Sequence, residues 1–374
     1  MHIVHISSVH HAQDPRIRHK QIQSILDHGW QATLITGDLW AGRDENLKAV
    51  TIPPGRDQRI KRIVLTAPRA IFQALKLKAD IYHLHDPELL PWALVLRLKG
   101  APVVYDIHED YSAAVRQKHY LPNLLRPVFA QIAVQAEQLL ASAFHKVIAE
   151  KYYARRFPQA LPILNYPKLV SVDQDNAFTP NSRRLLYTGN VTEQRGALLM
   201  TRVIRARPDF TLVTCGYCPA GVARAMRSEA GPAAKVLQII GQDRYVQYSE
   251  IMDCIRAGGW LAGLALFPDS DHYREKELTK FFEYMAVGLP IVASDFPAWR
   301  ELIANQGIGL CVDAEDPTSV AKALDWLYNY PEQARDMGQR GQDLVFEKYN
   351  WEHEGQRLLD FYERIAYEAL ARGG

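Results

Sequence analysis

The chain has 374 residues, 48% apolar and 23% charged, an ordinary globular composition that argues against disorder. That length exceeds one typical domain, and two domains of similar size are the natural division. A formal net charge of +2 argues against a dedicated nucleic-acid binder, and no stretch of eighteen uninterrupted apolar residues exists to span a membrane.

The opening MHIVHISS begins directly as a strand and lacks the basic-then-apolar profile of a signal peptide, so a cytoplasmic location is expected. Residues 2–7 read as a strand, 14–28 as a helix ended by Gly29, and 30–36 as the next strand. This βαβ opening has no G-x-G-x-x-G, so no dinucleotide cofactor is indicated. Its loop, SSVHHAQDPRI, is rich in His, Asp and Arg, and Asp14 and Arg16 can form a local ion pair at the helix start. Residues 56–78 carry seven cations against Asp57, with Ile71, Phe72, Leu75 and Leu77 on an apolar side. Two readings stay open there: a docked helix with a solvated face, or a surface lying on an anionic membrane.

Two short apolar runs follow, ADIYHLHDPE from residue 79 and APVVYDIHED from residue 101. Each reads as a buried strand ending in His and carboxylates, and ligands of open α/β sheets bind outside such strand ends. His83 and His85 share one face of their strand, because side chains alternate. Ten of the thirteen histidines fall within the first 119 residues, which puts this chemistry in the first domain. Metal binding is the obvious alternative, but neither H-x₃-H nor HExxH is present, and no metal is expected.

A helix over 125–144, a strand at 147–149 and a helix over 151–157 lead to Asn165-Tyr-Pro, which closes the first domain. The polar, turn-rich stretch 168–182 reads as a linker. The second domain opens with a strand at 185–188, and the loop from Gly189 through Arg195 to Gly196 feeds a helix from Ala197. Cys215 and Cys218 lie between a strand at 210–214 and a helix from 220 to 226, the local order of a thioredoxin-type redox site. The plainer reading makes Gly216 a strand-ending turn and the cysteines packing residues. A strand at 236–240 and Gly241 precede a loop reaching Tyr248-Ser-Glu. Asp269-Ser-Asp271 is a D-x-D that could hold a divalent cation, though a polar loop suffices.

Residues 275–303 pack a helix, its stop, a strand and a second helix start into one stretch. Thr279 is placed to cap the helix, Phe281, Phe282, Met285 and Ala286 form its apolar face, and Gly288 with Pro290 stops it. Ile291, Val292 and Ala293 then form a buried strand. Lys280 sits where the helix dipole disfavours a cation, a placement that makes sense if a phosphate binds at Leu278, Thr279 and Lys280. Glu283 shares its face, and seven residues separate Glu275 from Glu283. A strand at 309–312 and three helices, the final one amphipathic over 358–370, finish the chain.

The run from Glu275 to Glu301, with YMAVGLPIVAS at its centre, resembles the donor-binding signature of glycosyltransferase family 4, retaining enzymes of the GT-B fold. The resemblance implies two Rossmann-like α/β/α domains facing across a cleft, over 1–168 and 183–350, with a helix at 351–374 crossing back to the first. It implies sugar transfer from a nucleoside diphosphate sugar to a hydroxyl, in polysaccharide or glycolipid assembly, with no metal or other cofactor. Glu283 would hold the ribose and Glu275, or Glu277 in its stead, the donor sugar. The backbone before the helix with Lys280, and the Gly189 loop with Arg195, would hold the diphosphate. HDP and DxHE match active-site positions, which carries roles onto His85, His108 and Glu109. Asp14 and Arg16 would meet the sugar or lipid-linked acceptor, and lipid acceptors would suit a membrane contact through 56–78. A GT-B nucleotide sugar epimerase, a thiol redox protein and a non-catalytic sugar-nucleotide sensor are the alternatives.

Overall fold

The computed structural model describes residues 1–37, 46–52, 62–108, 126–169 and 177–373. The chain forms two compact units: Met1–Asn165 with Trp351–Gly374, and Tyr166–Asn350.

The first unit is built on a seven-stranded parallel sheet. Its strands are β1 (His2–Ile6), β2 (Gln31–Thr36), β3 (Leu47–Thr51), β4 (Ile81–Leu84), β5 (Val103–Ile107), β6 (His145–Ile148) and β7 (Leu161–Pro162), in the order β3-β2-β1-β4-β5-β6-β7. Both faces are covered, so the central strands are buried along nearly their whole length. Val4, Ile6, Tyr82 and Leu84 pack on one face with the helices Ala67–Leu75 and Leu90–Arg97. Ile3, Ile81 and Val104 point the other way, onto Ile17, Ile22 and the helix Trp351–Gly373, which contributes Trp351, Leu358 and Tyr362. The first connection is not one regular helix: it opens as a wide π-helix, Pro15–Ile22, and continues as α-helix over Gln23–Asp27. β3 and the two-residue β7 form the edges of the sheet.

The second unit is a six-stranded parallel sheet in the order β10-β9-β8-β11-β12-β13. The strands are β8 (Arg184–Thr188), β9 (Thr211–Cys218), β10 (Leu237–Gln242), β11 (Ala262–Ala265), β12 (Ile291–Ser294) and β13 (Gly309–Val312). This is the doubly wound order whose reversal falls between β8 and β11. The expected turn at Gly216 is absent, since β9 runs straight through it, and the loop after β10 reaches Tyr248, where the helix Tyr248–Arg256 begins.

The helix Thr279–Ala286 is capped differently from the expectation. Leu278 is its N-cap, with no side-chain bond, and Thr279 is already helical. Six consecutive residues, Lys280 to Met285, are buried, so this short helix is enclosed on every side. Gly288, at φ +65°, ends it as the sequence implies. Beneath it Gly263 leaves room for the Tyr284 ring, whose Cδ2 lies 2.4 Å from where a Cβ would stand. Among the described residues, no helix is long and apolar enough to cross a membrane.

Candidate active site

In the first unit, polar residues gather at the carboxyl ends of β1, β4 and β5, where the strand order reverses. The parallel register sets His5 opposite His83, and Val104 opposite His83 on the other side. His5, His83 and His85 stack, with ring centroids 4.8 to 5.1 Å apart. His5 Nδ1 lies 2.9 Å from His85 Nε2, and His83 Nδ1 is hydrogen-bonded to the Tyr362 hydroxyl. Burial pushes His5 and His83 well below the usual imidazole range and His85 down to about 3, so the stack is neutral.

Asp106 is the charge beside that stack. Arg16 grips it with a two-pronged fork, Nε to Oδ2 at 2.9 Å and Nη2 to Oδ1 at 2.8 Å, and Gln21 Nε2 donates to Oδ2 at 2.7 Å. Burial would raise this carboxyl, but the Arg16 charge and then the His85 hydrogen bond hold it well below the carboxylate range. His83, His85 and Asp106 offer ligand atoms within 4.8 Å of one another, a spacing a metal ion could span. Both Asp106 oxygens are already engaged, and the fixed Arg16 cation opposes a second one.

Three expectations change here. Asp14 and Arg16 do not pair: Asp14 Oδ1 accepts the backbone N–H groups of Arg16 and Ile17, each at 2.9 Å. Arg16, only 4% exposed, turns inward to Asp106 and the Ile163 carbonyl, which removes it as an acceptor contact. His85, 2% exposed, is closed in by His5 and His83 and cannot touch a substrate from this position. His108 is more open, at 10% side-chain exposure, with Nδ1 3.1 Å from the Asp106 carbonyl and Nε2 3.0 Å from His10 Nε2. Glu109 lies outside the described residues. His5 and His10 complete the cluster with Asp86 and Asp106 of the HDP and DxHE motifs; only strand register could have singled out His5.

The second cluster lies at the end of β8. Gly189 has φ +91°, and Arg195 Nη1 lies 4.0 Å from the position of a Gly189 Cβ. Arg195 hydrogen-bonds the Tyr187 phenol. Lys280 is 7% exposed, and its Nζ sits 3.4 Å from the Tyr187 ring centre, with no hydrogen-bond acceptor among the described residues. Burial and then the Arg195 charge push it well below the usual lysine range, against a smaller opposing pull from Glu283. Glu283, also 7% exposed, accepts a hydrogen bond from Tyr248. Tyr284 Oη holds Thr188 at N (2.9 Å) and Oγ1 (3.1 Å), tying this helix to the end of β8. The sequence-predicted Gly189, Arg195, Lys280 and Glu283 are therefore joined through Tyr187 and Tyr284, which spacing alone did not reveal. Leu278 and Thr279 begin the helix beside them, while Glu275 and Glu277 are half-buried just before it.

Asp269 is bound by both prongs of Arg274, at 2.6 and 2.5 Å. Cys215 and Cys218 are fully buried free thiols in β9. A hydrogen bond with Cys254 and then burial push Cys215 up, and burial pushes Cys218 up. A redox site needs an accessible, low-pKa thiol, so the thioredoxin-type alternative is overturned.

Two doubly wound parallel sheets, each with a polar cluster at its reversal, define a two-unit α/β protein built to hold ligands at strand ends. A family model described as glycosyl transferase 4-like domain matches residues 18–160, and one described as glycosyl transferases group 1 matches residues 172–344. The chain belongs to the family 4-like glycosyltransferases of the GT-B fold. It is similar to a phosphatidyl-myo-inositol mannosyltransferase of Mycobacterium tuberculosis, at 22% identity over 302 residues, covering 77% of this chain and 74% of that one. An alpha-maltose-1-phosphate synthase of Mycolicibacterium smegmatis is 26% identical over 189 residues, 48% of this chain and 47% of that protein. The fold matches a sucrose-phosphate synthase structure from Thermosynechococcus elongatus with TM-score 0.74 at 16% identity, over 98% and 99% of the two chains. It also matches Anabaena HepE in complex with UDP-glucose, with TM-score 0.70 at 12% identity, over 97% and 100%.

Proposed function

We propose that this glycosyltransferase moves a hexosyl group, with retention, from a nucleoside diphosphate sugar bound by the second unit to a hydroxyl acceptor bound by the first. The observation that carries the reading is Lys280, a buried amine beside Arg195 and the start of a helix, with no hydrogen-bond acceptor among the described residues. A buried amine without a hydrogen-bond acceptor is costly to ionise, and a diphosphate would supply the opposing charge. Backbone N–H groups near Leu278 and Thr279 would share that load with Arg195 and the Gly189 loop. These groups could stabilise the negative charge growing on the leaving diphosphate without a metal ion.

Glu283, oriented by Tyr248, would hold the ribose, which leaves it unfit for double displacement of the retaining-glycosidase kind. Front-face attack, with the departing phosphate taking the acceptor proton, then accounts for retention. His108 would face the reacting sugar, with His85 supporting it from the interior, and Glu275 or Glu277 would hold sugar hydroxyls. A nucleotide sugar epimerase would use the same donor site and leave the sugar on the nucleotide.

A lipid-linked acceptor, in glycolipid or polysaccharide assembly, fits the surface of the first unit. Val64, Leu65, Phe72, Trp92, Val95 and Leu98 are 40 to 87% exposed on two packed helices and their flanks. Arg69, Lys76, Lys78, Arg97 and Lys99 belong to the same two segments, and neither 62–79 nor 89–101 holds an acidic residue. A cationic apolar surface of this kind suits anionic lipid headgroups. Residues 53–61, part of the basic stretch, lie outside the described residues.

The test is a thermal-shift screen against UDP-, GDP- and ADP-sugars in EDTA, since a bound ligand stabilises the fold by mass action. One donor class should raise the melting temperature and be turned over, and Glu283→Ala should lose that shift. Undiminished donor affinity in Glu283→Ala would sink the ribose assignment. Turnover restored only by Mn²⁺ would give Asp269 and Asp271 the metal role denied to them here.

A further inference from the structure

His10, Asp86 and His108 lie just beyond the carboxyl ends of β1, β4 and β5, three adjacent strands. Their hydrogen bonds allow the protons to be counted. The Asp106 carbonyl, 3.1 Å from His108 Nδ1, can only accept, so that nitrogen carries a proton. Asp86 Oδ1 lies 3.0 Å from His10 Nδ1. Asp86 Oδ2 accepts the Ser8 N–H at 2.6 Å and the Ser7 hydroxyl at 2.9 Å, donors that favour the carboxylate, and against burial the carboxyl is held well below its usual range. It is ionised and also can only accept, so His10 Nδ1 carries a proton too. The two Nε2 atoms then face each other at 3.0 Å. Two bare lone pairs at that distance would repel, and a third proton must lie between them. Two imidazoles holding three protons carry one positive charge, and Asp86 balances it.

We propose that His10 and His108 share one proton in an Nε2–H–Nε2 bond with Asp86 as counter-ion, and that His10 is thereby a positioning residue for transfer. It fixes the tautomer and ring angle of His108. The inference rests on the proposed role of His108 at the reacting sugar.

The surroundings agree with this count. Ser7 Oγ lies 3.2 Å from His10 Nδ1 and donates to Asp86 Oδ2 at 2.9 Å. Glu88 behind it is paired with Arg62. On the other side Asp106 is matched by Arg16, and His85, with its ring 5.8 Å from His108, is neutral. Among the described residues, Asp86 is therefore the carboxylate left to serve the pair. Burial lowers His108, which draws the shared proton toward His10. Their side chains are 11% and 10% exposed, against none for His83 and His85, so the pair is the end of the cluster that solvent and a sugar hydroxyl can reach.

Imidazole ¹⁵N NMR of the full chain, followed from about pH 6 to pH 9, tests the pairing directly. One strongly deshielded N–H and a single titration shared by two rings are expected. In His10→Gln the shared signal should vanish and His108 should titrate alone. With whichever of UDP-glucose, GDP-mannose or ADP-glucose is turned over, His10→Gln should cut kcat by about tenfold or more. Its KM for the donor should stay within about twofold, and the fall in rate on the alkaline side should shift. Asp86→Asn should bring the shared titration down by about one pH unit, a second reading if His10→Gln folds poorly. Separate titrations with turnover intact would overturn the pair alone. A shared proton in a chain that turns over none of the three donors would overturn the positioning role along with the transferase reading.

Discussion

A Cβ on Gly216 would stand 2.0 Å from the Gly189 carbonyl oxygen, so the ends of β9 and β8 meet backbone against backbone. Gly216 has φ +154°, a region side chains avoid, and the contact sets the height of the loop that carries Arg195. Gly216→Ala should cost about 1–3 kcal/mol by urea unfolding and weaken donor binding as the Gly189 loop is displaced. A stability loss with donor affinity unchanged would mean that this contact serves only the fold.

Lys280 should show opposite effects on stability and binding. In the ligand-free protein its buried amine lacks a hydrogen-bond acceptor among the described residues, so Lys280→Met should hold or raise stability, by up to about 2 kcal/mol. Donor affinity should fall by about tenfold or more, because a charge-assisted bond to phosphate is lost. Scanning calorimetry with and without nucleotide sugar reads both. A less stable variant that still binds would assign the lysine to packing against Tyr187.

The histidine stack predicts how acid acts on the first unit. His5, His83 and His85 have folded values below 6.5, chiefly through burial. The unfolded chain then takes up protons that the folded chain refuses, so stability is full above about pH 6.5 and falls as the pH drops below it. Asp86 and Asp106, also depressed, add their loss only below about pH 4. Each unit of depression amounts to about 1.4 kcal/mol. Hydrogen exchange at pH 7 and pH 5 should show larger losses in β1, β4 and β5 than in β8, β11 and β12; equal losses would contradict the neutral stack.

The exposed apolar surface makes a prediction for lipid. Phe72→Glu with Leu98→Glu should abolish co-sedimentation with phosphatidylglycerol vesicles and leave the melting temperature within a few degrees, since both side chains are 59% and 87% exposed. Binding to neutral phosphatidylcholine should be weak throughout. Equal binding to both vesicle types would remove the role assigned to the lysines and arginines of the two segments.

Much of the architecture was legible where one residue dictates local geometry. Gly288 and Pro290 stop a helix, and the apolar runs before His85 and His108 mark central strands whatever surrounds them. Thr279 misled because capping depends on where the chain turns: Leu278 keeps extended angles and leaves threonine inside the helix. Gly216 misled because glycine serves turns and close approaches alike, and only the neighbouring strand distinguishes them. Arg16 and Asp106 lie ninety positions apart, and their pairing follows from sheet order and helix packing. The proton count in the first unit was equally out of reach, since it depends on distances among three loops.

The first unit is not continuous in the chain: residues 166–350 intervene before Trp351 begins the helix that covers Ile3, Ile81 and Val104. On a ribosome moving at about 5–20 residues per second, β1 through β7 would wait roughly 10–40 s for that cover. The second unit, continuous in sequence, can close in the meantime. Synthesis order and folding order are thus inverted, and the first-made sheet is the one exposed longest to chaperones and proteases. The Tyr362 hydroxyl reaches His83 only at the end of that interval, so the histidine stack is among the last parts of the molecule to be assembled.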